Sequence, residues 1–164
     1  MTHSSNSLDS FDLGILAALQ EDAARSIAEI AAGVNLSQNA CWRRIKLLEE
    51  ADYIRRRVAL LNAKKLGSGV TVFVSLSAGE HSEDWLEAFA DQVAKMPEVV
   101  EFYRMSGEVD YLIKLQVADI EAYDRVYKAL IRAGRLRDVS AAFAMEELKH
   151  THAVPLPAAP AKGR

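Results

Sequence analysis

The stretch NLSQNACWRRIKLLEE, Asn35 to Glu50, decides how the N-terminal half of this chain is read. Ser37 is suited to cap a helix, since its hydroxyl can accept a hydrogen bond from one of the first free backbone N–H groups. Behind it Cys41, Ile45 and Leu48 fall at i, i+4 and i+7, the spacing of a buried helical stripe. Gln38, Asn39, Trp42, Arg43 and Lys46 then fall largely on the outer side. The turn that leads in holds Asn35, where a paired-helix turn often has glycine; among the non-glycine residues, Asn is one of the few that tolerates the left-handed region.

Working back from this helix, RSIAEIAAGV carries Ser26 and, three residues on, Glu29, the pattern of a capping box, with an apolar stripe of Ile27, Ile30, Ala31 and Val34. Further back, LDSFDLGILAALQED places Leu8, Phe11, Ile15, Leu16 and Leu19 near helical spacing, with Asp9 or Ser10 as the cap, after a polar start expected to fray. Three short helices with a tight turn between the last two describe a helix-turn-helix. Such a unit sets the start of its last helix against base edges in the major groove, and Gln and Asn suit bidentate pairing with adenine there. Ser37, Gln38, Asn39, Trp42, Arg43, Arg44 and Lys46, with Arg55, Arg56 and Arg57 just beyond, are the candidate DNA-facing residues. Two of them have a second reading: Trp42 can instead pack against the first helix, and Arg44 can instead pair with Glu49 or Glu50.

Charge supports a polyanion partner for this half. The chain of 164 residues has a formal net charge of -3, but residues 42–65 hold eight Lys/Arg against three Asp/Glu. The opposing reading is a solvated basic face. The apolar runs are short and broken by charge, so no membrane span is expected. A single cysteine, Cys41, excludes a disulfide within the chain and agrees with a reducing, cytoplasmic setting. His150 and His152 have no third ligand nearby and read as solvated. No nucleophile–base arrangement or phosphate-cradling glycine loop stands out, so neither a catalytic residue nor a cofactor or metal is expected.

Working forward, YIRRRVALL reads as a short β segment, and NAKKLGSG as a connector between domains. The rhythm then changes. VTVFVSLSA alternates as a strand, SEDWLEAFADQVAKMP is an amphipathic helix, and EVVEFYRM and VDYLIKLQV are strands joined at SGE. DIEAYDRVYKALIRAG is a second amphipathic helix and LRDVSAAFAMEELKH a last strand. The order βαββαβ is that of ferredoxin-like folds, with helices on one face of an antiparallel sheet; a second copy of the chain would cover the other face. The expected organisation is α+β: a helix-turn-helix (winged-helix-like) domain at 8–54, a β segment and linker at 55–69, a ferredoxin-like domain at 70–150 and a flexible proline- and alanine-rich tail at 151–164.

The pieces LDSFDLGILAALQEDA, IAEIAAGVNLSQNACWRRIKLLEEADYI, MPEVVEFYRMSGEVDYLIKLQVAD and AFAMEELKHTHAVPL, in this order, resemble the Lrp/AsnC (leucine-responsive, feast/famine) family of transcriptional regulators. The resemblance implies a regulator of transcription that binds double-stranded DNA, whose C-terminal (RAM) domain binds a small molecule, typically an amino acid, and drives assembly to dimers and often octamers. It implies an effector site near the hairpin of Met105, Ser106, Gly107, Glu108, Val109, Asp110 and Tyr111, completed near Ser140. Gly107 would allow close approach to the backbone, and Asp110 could accept hydrogen bonds from an α-ammonium group or could simply rigidify the hairpin. The chain departs from the family at Asn35 and Asp52, where glycine is usual; both are expected at positive φ. Two other functions compete: a chromosome-organising protein that wraps DNA with little sequence choice, and a small-molecule enzyme on a ferredoxin-like domain.

Overall fold

The computed structural model describes residues 8–79 and 82–158. The polar start and the end of the tail, on which the expectations of fraying and flexibility partly fall, lie outside the described residues. The described residues divide into two compact units: 8–59 with 149–158, and 60–79 with 82–148.

In the first unit, α1 spans Ser10–Glu21, α2 Ile27–Gly33 and α3 Gln38–Glu50. Asp9, Ser26 and Ser37 cap them, and the first two caps are full capping boxes closed by Asp12 and Glu29. Ile15, Leu19, Ile30, Ala31, Cys41, Ile45 and Leu48 form one buried cluster, the stripe expected from helical spacing. Gly14 lets α1 approach α2's end, since a Cβ there would lie 2.9 Å from Val34 Cγ1.

Both helices of the helix-turn-helix end in the same way. Asn35 has φ 56° and Asp52 φ 59°, as their departure from glycine requires. The Asn35 N–H donates to Ala32 O (3.3 Å) and the Leu36 N–H to Ala31 O (2.9 Å). The Asp52 N–H donates to Glu49 O (3.1 Å) and the Tyr53 N–H to Leu48 O (2.9 Å). Each set is a Schellman motif, in which a left-handed residue lets the last carbonyls find donors.

The β segment expected over Tyr53–Leu61 is not a strand in this chain. A strand exists only through a paired ladder, and residues 55–62 meet no edge; Val58, Leu60 and Leu61 are exposed there. Among the described residues the first unit therefore holds helices and no strand, a helix-turn-helix without a wing. In the stretch expected as a flexible tail, the Gln20 side-chain amide grips the backbone of Val154: Val154 N–H donates to Gln20 Oε1 (3.1 Å), and Gln20 Nε2 donates to Val154 O (3.2 Å).

The second unit runs β1 Val70–Ala78, α4 Glu83–Val93, β2 Val99–Arg104, β3 Tyr111–Val117, α5 Ile120–Ala133 and β4 Leu136–Phe143. The sheet order is β2-β3-β1-β4, every pair antiparallel, the expected ferredoxin-like topology. Alternation sorts the two faces. Val72, Val74 and Leu76 of β1 and Tyr111, Ile113, Leu115 and Val117 of β3 are buried with Phe89, Val93, Val126 and Leu130 of the helices. Phe89 is fully buried, and Trp85 stacks on it at 5.0 Å. Gly134 sits under this stack, where a Cβ would come within 2.9 Å of both rings. The opposite face carries Thr71, Phe73, Lys114 and Gln116, with Lys114 paired to Glu101 at 2.9 Å.

Candidate functional site

The first site is the outer face of α3. Ser37 fixes its start by accepting the Ala40 N–H (3.2 Å). At ~100° per residue, Asn39, Arg43 and Lys46 lie opposite Cys41. Gln38, Asn39, Trp42, Arg43 and Lys46 are all exposed. Trp42, which spacing left between core and surface, is 49% exposed and lies outside the core cluster.

The cations on and after this helix fall into two groups. Arg43, Arg55 and Arg56 make no ion pair among the described residues and are exposed. Lys46 (2.7 Å) and Arg57 (3.2 Å) share the Glu49 carboxylate, leaving that trio net positive. The Lys46 hydrogen bond first, and then both positive charges, hold Glu49 below the usual carboxylate range. Arg44 differs. Its partners are neither Glu49 nor Glu50 but Asp12 (2.7 Å) and Asp9 (2.8 Å) at the start of α1. Helical spacing along α3 could not reveal partners 32 and 35 positions away in sequence. The only local sign was the Asp-x-x-Asp capping box itself.

The second site is the hairpin between β2 and β3. Gly107 has φ 150°, and a Cβ there would meet nothing within 4 Å, so the turn needs glycine for its backbone and stays open above it. Met105, Ser106, Gly107 and Glu108 are exposed, whereas Tyr111 is buried in the core. Asp110 closes the hairpin through one hydrogen bond and ties it to β1 through two more. Its N–H donates to Leu76 O (2.9 Å), its carbonyl accepts the Met105 N–H (2.8 Å), and its Oδ2 accepts the Ala78 N–H (2.8 Å). The rigidifying role is thus present in the geometry, with Oδ1 still available as an acceptor. Ser140 lies on β4 opposite Ser75 of β1 and is exposed. Elsewhere, His150 and His152 meet edge to face at 4.6 Å in the C-terminal segment. Among the described residues no helix is long and apolar enough to cross a membrane.

Comparison with known proteins matches both units. Residues 8–49 fit the model of the AsnC-type helix-turn-helix domain, and residues 71–154 that of the Lrp/AsnC ligand binding domain. The glutamate uptake regulatory protein of Zymomonas mobilis is 55% identical over 150 residues, 92% of each chain. The DNA-binding transcriptional activator DecR of Escherichia coli K12 is 43% identical over 91% of this chain and 99% of its own. The crystal structure of an AsnC family transcriptional regulator from Agrobacterium tumefaciens superposes with a TM-score of 0.87 at 52% identity, covering 90% of this chain and 97% of its own. A Neisseria meningitidis transcriptional regulator in its L-Met complex gives 0.86 at 34%, covering 91% and 97%. With an AsnC-type helix-turn-helix followed by an Lrp/AsnC ligand-binding domain, this chain belongs to the Lrp/AsnC family of DNA-binding transcriptional regulators.

Proposed function

We propose that α3 enters the major groove and reads sequence through Gln38 and Asn39, with Ser37 fixing the helix start and Trp42 at the groove wall. Arg43, Arg55 and Arg56, together with Lys46 and Arg57, neutralise phosphates. The observation that carries this reading is the division of α3: the amides of Gln38 and Asn39 with the unpaired Arg43 and the Glu49-paired Lys46 exposed on one side, and Cys41, Ile45 and Leu48 buried on the other. Phosphate contacts supply affinity and register, and the amides supply sequence choice. Anisotropy titrations of a labelled duplex over a salt series test it. Each neutralised phosphate contributes about −0.9 to the slope of log affinity against log salt, so binding independent of salt refutes the reading. Footprints in discrete half-sites support sequence-specific regulation; continuous protection supports the DNA-wrapping alternative.

For the second unit we propose an amino-acid effector bound at the hairpin of Met105–Asp110, with Asp110 Oδ1 receiving its α-ammonium group and Ser140 closing the site. Support comes from the open backbone at Gly107 and the free carboxylate oxygen, and from the L-Met complex of the Neisseria relative. Binding shifts self-assembly (a dimer that builds to an octamer) or half-site geometry, and by linkage DNA must alter effector affinity by the same factor. The protein works in the cytoplasm and catalyses no reaction. A thermal-shift screen with L-glutamate, L-methionine and the other amino acids tests the sensor. Stabilisation with the ligand recovered unchanged supports it, and a consumed ligand indicates an enzyme.

A further inference from the structure

Arg44 is the cation of α3 that the proposed interface does not use. It lies at the margin of the buried stripe, between Cys41 and Leu48 in the helical repeat. Its Nη1 donates to Asp12 Oδ1 at 2.7 Å and pairs with Asp9 Oδ2 at 2.8 Å. Its guanidinium also sits 5.3 Å from the ring centroid of Phe11, a cation–π distance. The two carboxylates divide their oxygens. Asp9 gives Oδ1 to the Phe11 and Asp12 N–H groups (2.9 Å each) and Oδ2 to Arg44. Asp12 gives Oδ2 to the Asp9 N–H (3.2 Å) and Oδ1 to Arg44. One oxygen of each thus closes the capping box of α1, and the other holds α3. The cluster carries two negative charges against one positive, so it adds no attraction for a phosphate.

We propose that Arg44 is a positioning residue: it fixes the roll of the reading helix α3 against the capped start of α1, and it does not itself neutralise a phosphate. This inference rests on the reading of α3 as the base-contacting helix. A functional constellation must be held to about 0.5 Å and 10–20° to keep its contacts. Gln38 and Asn39 sit at the first turn, where a small roll of the helix changes their distance to base edges. The clamp attaches about a turn and a half further along, on the flank of the core stripe. Burial alone restrains this roll weakly, because apolar contacts are non-directional, whereas paired charges with shared hydrogen bonds are directional.

The test uses the full-length chain with Arg44→Gln, Arg44→Lys and Asp12→Asn. Two probes are needed: a duplex selected from a random pool by the wild-type protein, and a scrambled duplex of equal length. Affinity for each is measured across salt, with circular dichroism confirming the fold. Expected for Arg44→Gln and Asp12→Asn is a loss of discrimination between the duplexes of roughly 5- to 150-fold, the scale of one good bidentate base contact. Binding to the scrambled duplex and the salt slope stay at wild-type values. Arg44→Lys, which keeps a cation for the two carboxylates, restores part of the discrimination. Should Arg44→Gln not fold, Asp12→Asn carries the test. The proposal is overturned if Arg44→Gln reduces the magnitude of the salt slope by about one while Asp12→Asn changes nothing, since that marks a phosphate contact. It is equally overturned if both duplexes weaken by one factor, which marks loss of folded protein only. A wild type that fails to discriminate refutes base reading itself, and the slope comparison still decides whether Arg44 meets a phosphate.

Discussion

Asn35 and Asp52 offer a quantitative test of how this helix-turn-helix is held together. Both are exposed, both lie just past a helix end, and both have φ near +60°. An ordinary L-residue in this region costs roughly 1–2 kcal/mol, and Asn or Asp somewhat less. Glycine removes that strain but loses more chain entropy on folding, by about 0.5–1 kcal/mol. Asn35→Gly should therefore stabilise the unit by about 0.5 kcal/mol, and Asn35→Ala should destabilise it by about 1 kcal/mol. Asp52 has a further burden. Its carboxylate stands at the C-terminal, negative end of α3, which costs roughly 0.3–1 kcal/mol. Asp52→Gly should therefore gain about 1 kcal/mol, or ~4–8 °C in the melting of a domain of this size. The sites are separate, so the double variant should be additive within about 0.5 kcal/mol. A whole-chain melt would sum two units, so hydrogen exchange resolved by peptide, read on α3 amides against β1 and β3, is the better assay. Equal stability of Asn35→Gly and Asn35→Ala would refute the reasoning, because only the left-handed backbone separates the two outcomes.

Glycines elsewhere predict opposite signs from space alone. Gly14→Ala, which drives a Cβ to 2.9 Å from Val34, should cost about 1–3 kcal/mol, whereas Gly33→Ala, with nothing within 4 Å, should gain about 0.5–1 kcal/mol; denaturant titrations read both. Gly134→Ala presses on Phe89 and Trp85 and should destabilise the second unit by about 1–3 kcal/mol, visible as changed near-UV dichroism of the stacked ring. Acid should weaken the first unit. Burial raises the Asp9 carboxyl, but the Asp12 N–H, Arg44 and the Phe11 N–H outweigh it and hold it low. The Ser26 hydrogen bonds hold Glu29 low and the Lys46 hydrogen bond holds Glu49 low. Groups depressed in the folded state contribute stability above their unfolded pKa and lose it as pH falls through the folded one. The loss should therefore set in below ~pH 4 and be shallower in Arg44→Gln, as followed by circular dichroism across an acid titration.

What the sequence determined by itself is what depends on neighbours a few residues away. Caps at Ser26 and Ser37, the first helix's cap down to the choice between Asp9 and Ser10, the buried stripe Cys41, Ile45 and Leu48, and the left-handed turns at Asn35 and Asp52 are all set by groups within one or two helical turns. The βαββαβ order followed from alternation and amphipathic spacing in the same local way. Pairings between distant residues were decided only by the tertiary structure. Arg44 reaches Asp9 and Asp12 rather than the glutamates on its own helix, because helix packing brings α1's start closer to its guanidinium. Gln20 holds Val154 across 134 positions, and Asp110 directs one carboxylate oxygen to the Ala78 N–H. Residues 53–61 have strand-forming side chains but find no partner edge in this chain. Periodicity specifies which face of an element is apolar; only the packed chain specifies which polar group a charge on that element will meet.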